Sequence, residues 1–140
     1  ATTEIYTLSL HDALPISIHV LSLEEKEAYQ KVTMKQVIDF SIAMFTYWTE
    51  DEFASLFRKM LTIEQYHDIK MNLLYQNYLG DGPYQYILDI FKTMEFKDYE
   101  EKALLFYGPM FSLYSLSDID LELAKERLQK HFQYLLERLV

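Results

Sequence analysis

The chain has 140 residues, of which 50% are hydrophobic and 16% aromatic, with three Gly, three Pro and no Cys. That composition excludes a disordered chain, a disulfide scaffold and a thiolate metal site, and so few breakers favour long helices over many short strands. The net charge is −9 and no cluster of positive charge of the kind DNA binding requires is present, the densest basic stretches being Arg58-Lys59 and Lys125 to Lys130, and no run of roughly eighteen apolar residues marks a transmembrane helix.

The N-terminal stretch ATTEIYTLSLHDALPI, Ala1 to Ile16, resembles the in-frame translation of a short-read sequencing adapter, with Ser17 straddling the junction. Residues 1–17 are therefore read as foreign and set aside from fold reasoning, and residues 18–140 as one domain. Without Glu4 and Asp12 the 22 acidic residues become 20, against 13 basic, so the remainder stays acidic.

The elements follow in order. Ser22 with Glu25 is a capping box that opens a short helix near Leu23 to Lys31. Thr33 with Gln36 opens the next, whose Met34, Val37, Ile38, Ser41, Phe45 and Trp48 fall at helical spacing. Thr49 with Glu52 reads as a third box, before a helix presenting Phe53, Leu56, Phe57, Met60 and Leu61 on one face. That helix either continues through Tyr66 or breaks near Thr62. His67-Asp68 marks a corner, and a helix from about Ile69 to Leu79 turns Leu73, Leu74 and Tyr78 inward. In Gly80-Asp81-Gly82-Pro83, glycine permits a left-handed cap and Pro83 suits the first position of the following helix. That helix carries Tyr86, Ile87, Ile90, Phe91 and Met94 and breaks at Lys97-Asp98.

The stretch from Tyr99 to Leu116 is apolar nearly all round, so most of its faces need a cover. Pro109, following Gly108, predicts a kink there rather than an end. Asp118 or Asp120 caps the final helix, along which Leu121, Ala124, Leu128, Phe132, Leu135 and Leu139 recur between charged residues. The pattern predicts an all-α bundle of about six to eight helices, with no internal repeat.

Three phrases, FRKMLTIEQYHD, LYQNYLGDGPYQYILDIF and ALLFYGPMFSLYSLSD, resemble in content, order and spacing the C-terminal domain of TetR-family transcriptional regulators. The Phe-Tyr-Gly-Pro-Met-Phe run from Phe106 to Phe111 is the most family-like, and the resemblance extends over roughly Met34 to Val140. It implies that residues 18–140 are the ligand-binding and dimerisation body of a two-part regulator. In such regulators a basic helix-turn-helix head reads an operator, and the body dimerises through its last two helices. No basic three-helix pattern precedes Leu23. DNA binding is therefore expected of a full-length parent and not of this fragment.

Two groups of residues are candidates for function. An all-apolar helix in a domain this small leaves a face uncovered, and two-fold pairing is the common remedy. A homodimer is expected, with Phe111, Tyr114, Leu121, Leu128, Phe132 and Leu135 at its contact. Twelve Tyr and nine Phe suggest an aromatic-lined cavity for an apolar or aromatic small-molecule effector, the alternative for any single ring being plain core packing. Helix faces place Phe45, Met60, Tyr66, Tyr86, Phe106 and Met110 around it.

Glu64 and His67 form a single Glu-x-x-His, whereas carboxylate-bridged metal bundles need that spacing twice with two further Glu. A solvated pair is the simpler reading, and neither metal nor cofactor is expected. No nucleophile elbow, phosphate loop or paired acid and base is present, so an enzyme is not expected. No membrane association is expected, and the lack of Cys and of a secretory signal fits a cytoplasmic protein. A helical protein-interaction module without a small ligand remains the alternative, and a small helical enzyme or carrier is the third class.

Overall fold

A computed structural model describes residues 32–139. The foreign-looking residues 1–17 and the short helix expected near Leu23 to Lys31 lie outside the described residues. Helix α1 (Met34–Glu50) starts at the expected capping box. Thr33 Oγ1 accepts from the Gln36 N–H at 3.2 Å, and Gln36 Oε1 accepts from the Thr33 N–H at 2.9 Å. Its inward residues are Met34, Val37, Ile38, Phe45 and Trp48, the face that the spacing assigned.

Helix α2 (Glu52–Glu64) corrects two expectations. Its cap is Asp51, whose Oδ2 accepts from the Ala54 N–H at 2.8 Å. Thr49 lies within the last turn of α1 and donates to the Phe45 carbonyl at 2.7 Å. Asp51 holds extended backbone angles and offers a carboxylate, the better acceptor at a helix start. The buried face of α2 is Ala54, Phe57, Arg58 and Leu61, while Leu56 is exposed. The helix stops at Glu64, short of Tyr66.

Helix α3 (Ile69–Tyr78) is capped by Asp68, whose Oδ1 accepts from the Lys70 N–H at 2.9 Å. It ends as the Leu79 and Gly80 N–H groups both donate to the Tyr75 carbonyl, at 2.8 and 3.1 Å. Tyr78 is buried as expected, but Leu73 is exposed. No left-handed glycine cap forms, since Gly80 has φ −104° and ψ −106°. Helix α4 (Asp81–Thr93) begins before Pro83 and places it third, still within the first turn where an N–H has no partner inside the helix. Left-handed residues occur instead in the next connection, at Glu95 (φ 60°) and Asp98 (φ 57°), and they reverse the chain into α5 (Tyr99–Tyr107).

Gly108 and Pro109 both keep right-handed helical angles between α5 and α6 (Met110–Ser117), so the interruption is a bend in one rod. The backbone bonds that survive around it run from the Gly108 N–H to Leu104 O at 2.8 Å and from the Leu113 N–H to Pro109 O at 3.1 Å. Helix α7 (Leu121–Leu139) is capped by Asp120, which accepts from the Leu123 N–H at 3.0 Å. All seven described elements are helices, so the all-α bundle reading holds.

Each helix packs on its neighbour in sequence from α1 to α5, and α6 packs on α7. The bundle closes because α1 also touches α6 and α7, and α7 touches α5. One core results, with Trp48, Phe45, Phe91, Phe106, Leu61, Ile90, Leu128 and Leu135 its largest fully enclosed side chains. Each such side chain contributes about 1.5–3 kcal/mol on leaving water. His131 Nε2 sits 3.1 Å from the Phe106 carbonyl and ties α7 to the last turn of α5.

A buried polar contact closes the corner between α3 and α4. The Tyr107 hydroxyl donates to the Leu79 carbonyl at 2.5 Å. Tyr107→Phe leaves that carbonyl without its donor, and unfolding free energy should fall by about 1–2 kcal/mol in urea titration. Burial pushes the Tyr107 hydroxyl pKa well above 10.0, and does the same for Tyr114, where the Arg58 cation offsets part of the rise. Both groups are neutral in folded and unfolded chains below the unfolded pKa. Above it the unfolded chain ionises first, so stability should fall as pH rises beyond about 10. In Tyr107→Phe that alkaline loss should shrink.

Candidate functional site

The bend between α5 and α6 faces the middle of α1, and between them lies a cavity of about 60 Å³. Helix α1 contributes Phe40, Ser41, Met44 and Trp48, and α3 contributes Asn77 and Tyr78. Helix α4 supplies Pro83, Tyr86 and Ile87, and the bent rod supplies Phe106, Tyr107, Met110 and Tyr114. The spacing of Phe40, Met44 and Trp48, four apart, puts them on one face of α1. Phe106 and Met110 stand one turn apart across the bend, so α5 and α6 line the cavity together.

Ring packing sets the walls. Phe40 meets Tyr86 edge to face at 5.5 Å, and Trp48 leans on Tyr78 at 6.5 Å. Phe106 is wedged between Phe91 at 5.6 Å and Phe132 at 4.9 Å. Such pairs add about 0.5–1.5 kcal/mol beyond area burial and hold each ring at a fixed angle.

Behind the Trp48 and Tyr114 walls sits Arg58, only 3% exposed. Its Nε donates to the Trp48 carbonyl at 3.0 Å. Its two terminal nitrogens grip Asp118, at 3.1 and 2.5 Å, and its guanidinium lies 5.4 Å from the centre of the Tyr114 ring. Lys59 approaches the same carboxylate at 3.7 Å. The fork fastens α2 to the end of α6 while supporting two walls of the cavity. Sequence reasoning did not single out Arg58. The available signal was its place four residues after Ala54 and three before Leu61, on the inward stripe of α2.

Of the six residues placed around a cavity from sequence, Tyr86, Phe106 and Met110 line this one. Phe45 lies behind the wall, buried and stacked on Tyr114 at 5.2 Å. Met60 is half-buried on α2, away from the lining. Tyr66 is 82% exposed, because α2 ends before it and the chain turns outward toward Asp68. The lining residues missed from sequence include Ser41, Trp48 and Tyr78, which had been assigned to inward faces without a role.

Four of the residues expected at a dimer contact are already covered within a single subunit. Leu128, Phe132 and Leu135 are 2%, 2% and 0% exposed in a single subunit, and Tyr114 is buried beneath Arg58. The apolar stripe of α7 is used up against α6, α1 and α5. Leu121 is half-buried, and Phe111 is exposed. The apolar side chains that these last helices do leave outside are Leu104, Leu105, Phe111 and Tyr134.

Glu64 and His67 stand at the surface, with Nδ1 3.3 Å from Oε2. Among the described residues no group of three or more His, Cys, Asp or Glu is placed to hold a metal ion. No helix among them is long and apolar enough to cross a membrane. The lining offers ring faces, thioethers, hydroxyls and one amide, and no charged side chain. No family model, no curated protein and no solved structure matches the chain.

Proposed function

We propose that this chain is the effector-binding and dimerisation body of a TetR-like transcriptional regulator, acting by binding and not by catalysis. The observation that carries the reading is the aromatic cavity bounded by α1, α3, α4, α5 and α6. Two of the three phrases that resemble the family supply much of its wall, including Tyr78, Tyr86, Phe106 and Met110. A ligand seated there touches both halves of the bent rod, and it shifts the body's conformation to the extent that it binds one state better. Operator recognition belongs to a head on the full-length parent, in a cytoplasmic setting.

A saturating effector should raise unfolding free energy by about 2.7 kcal/mol at a hundred times its Kd. A thermal-shift screen of small apolar and aromatic compounds checks this, and no stabilisation by any of them counts against the reading. Sedimentation equilibrium at high micromolar concentration tests the homodimer, whose apolar contact would draw on Leu104, Leu105, Phe111 and Tyr134. A single-copy species at that concentration removes the dimer. The coding sequence that precedes Ile18 in the source genome tests the class, since a basic helix-turn-helix frame supports it and an unrelated domain overturns it.

One observation favours a second reading, a helical protein-interaction module without a small ligand. Ile63, Tyr66, Ile69 and Leu73 are each more than half exposed along the corner between α2 and α3. Substituting them with polar residues separates the two readings, because it leaves effector binding unchanged and abolishes partner binding.

A further inference from the structure

The chemistry of the cavity wall narrows what it can accept. None of its lining residues is Asp, Glu, Lys, Arg or His. Arg58, which does not line the cavity, is already held by Asp118 and the Trp48 carbonyl. An ionised ligand would leave water without a counter-charge, which costs far more than ring contacts return. Two wall side chains are polar and unengaged. Among the described residues, neither the Ser41 hydroxyl nor the Asn77 amide has a side-chain hydrogen bond, and both are half-buried. They approach the cavity from different helices, α1 and α3. Flat faces come from Phe40, Tyr86 and Phe106, and the sulfur-bearing Met44 and Met110 can re-pack around a ring.

Size sets a further limit. A protein cavity of about 150 Å³ holds benzene, and this one is about 60 Å³. Seating a ring therefore requires the wall to give, and Met44, half-buried and unbranched, is the side chain best able to move. A ligand of several fused rings asks for more movement than one methionine supplies.

We propose that the cavity takes an uncharged single-ring aromatic molecule carrying one hydrogen-bonding group, the ring stacked among Phe40, Tyr86 and Phe106 and the polar group held by Ser41 and Asn77. The proposal rests on the ligand-binding reading above and specifies its ligand.

Four probes of one ring each test it on the full chain: phenol, toluene, benzoate and benzylammonium. Trp48 is the single tryptophan of the chain and lines the cavity, so its fluorescence reports occupancy directly. Phenol should give a saturable change, with benzoate and benzylammonium weaker by about a hundredfold or more. In Ser41→Ala/Asn77→Ala, phenol should weaken roughly tenfold while toluene moves less than about twofold. Both substituted positions are half-buried, and the comparison among probes in the unsubstituted protein stands without them. Binding of either charged probe within about tenfold of phenol overturns the neutrality of the site. Equal response of phenol and toluene to the double substitution overturns the roles of Ser41 and Asn77. Saturation by none of the four overturns this proposal, and the thermal-shift screen of other apolar and aromatic compounds then decides separately whether the ligand-binding reading stands.

Discussion

Asp118→Ala lowers the unfolding free energy by about 3 kcal/mol, because it strands a guanidinium inside the protein. Arg58 is 3% exposed and its two terminal nitrogens both point at that carboxylate. The figure sits at the low end for a buried pair because the Asp118 side chain is 31% exposed and water can partly replace it. The urea midpoint should fall by more than about 1 M with an unchanged slope. Arg58→Met combined with Asp118→Ala should recover most of the loss, since no charge is then left unpaired and the long side chain refills the space. If the double variant is as unstable as Asp118→Ala, the loss comes from the end of α6 and not from the orphaned cation.

Phe106→Ala costs about 3–5 kcal/mol, from lost burial and the void it leaves. The ring is 1% exposed, touches Phe91 and Phe132, and forms part of the cavity wall. A domain of this size has about 5–15 kcal/mol in total, so the variant should melt far below the parent and lose its near-ultraviolet signal early. Phe106→Leu fills more of the space than Ala but loses both ring pairs, and should cost about 1–3 kcal/mol. Tyr134→Ala serves as the control: half exposed on α7, it should stay within about 0.5 kcal/mol in the single subunit. A loss at Tyr134 that grows with protein concentration would place it at a contact between copies.

The sequence was most legible where one residue type has one local use. The Thr33–Gln36 box, the corner at Asp68 and the cap at Asp120 are each short side chains within reach of a free N–H, and each formed. Pro109 removes one donor, and the helix is interrupted there, although Gly108 and Pro109 keep right-handed helical angles between α5 and α6. Thr49 misled because a neighbouring carboxylate, Asp51, competes for the same role. The face of α2 misled for a different reason. Hydropathy prefers Leu56 inside and Arg58 outside, whereas an aspartate from the end of α6 makes the arginine the better buried group. That partner lies 60 residues away in the chain, beyond any periodicity.

The candidate site divided along the same line. Inward faces were readable, and Tyr86, Phe106 and Met110 on them reach the cavity. Which inward residues surround a void and which fill the core depends on how helices from distant parts of the chain meet. Phe45 and Phe106 carry the same spacing signal, yet only Phe106 reaches the cavity. The stripe on α7 was correctly read as buried, but a stripe cannot tell a neighbouring helix of its own subunit from one of a second copy.

The closing role of α7 has a bearing on synthesis. Its Leu128, Phe132 and Leu135 seal the interior against helices made much earlier, and α1 in particular waits for it. While the chain is still emerging from the ribosome, the pairs from α1 to α5 can assemble locally, but their shared interior stays open to water until the nineteen residues of α7 are released. Truncation within α7 therefore leaves a sticky, half-built bundle, a substrate for chaperones and proteases.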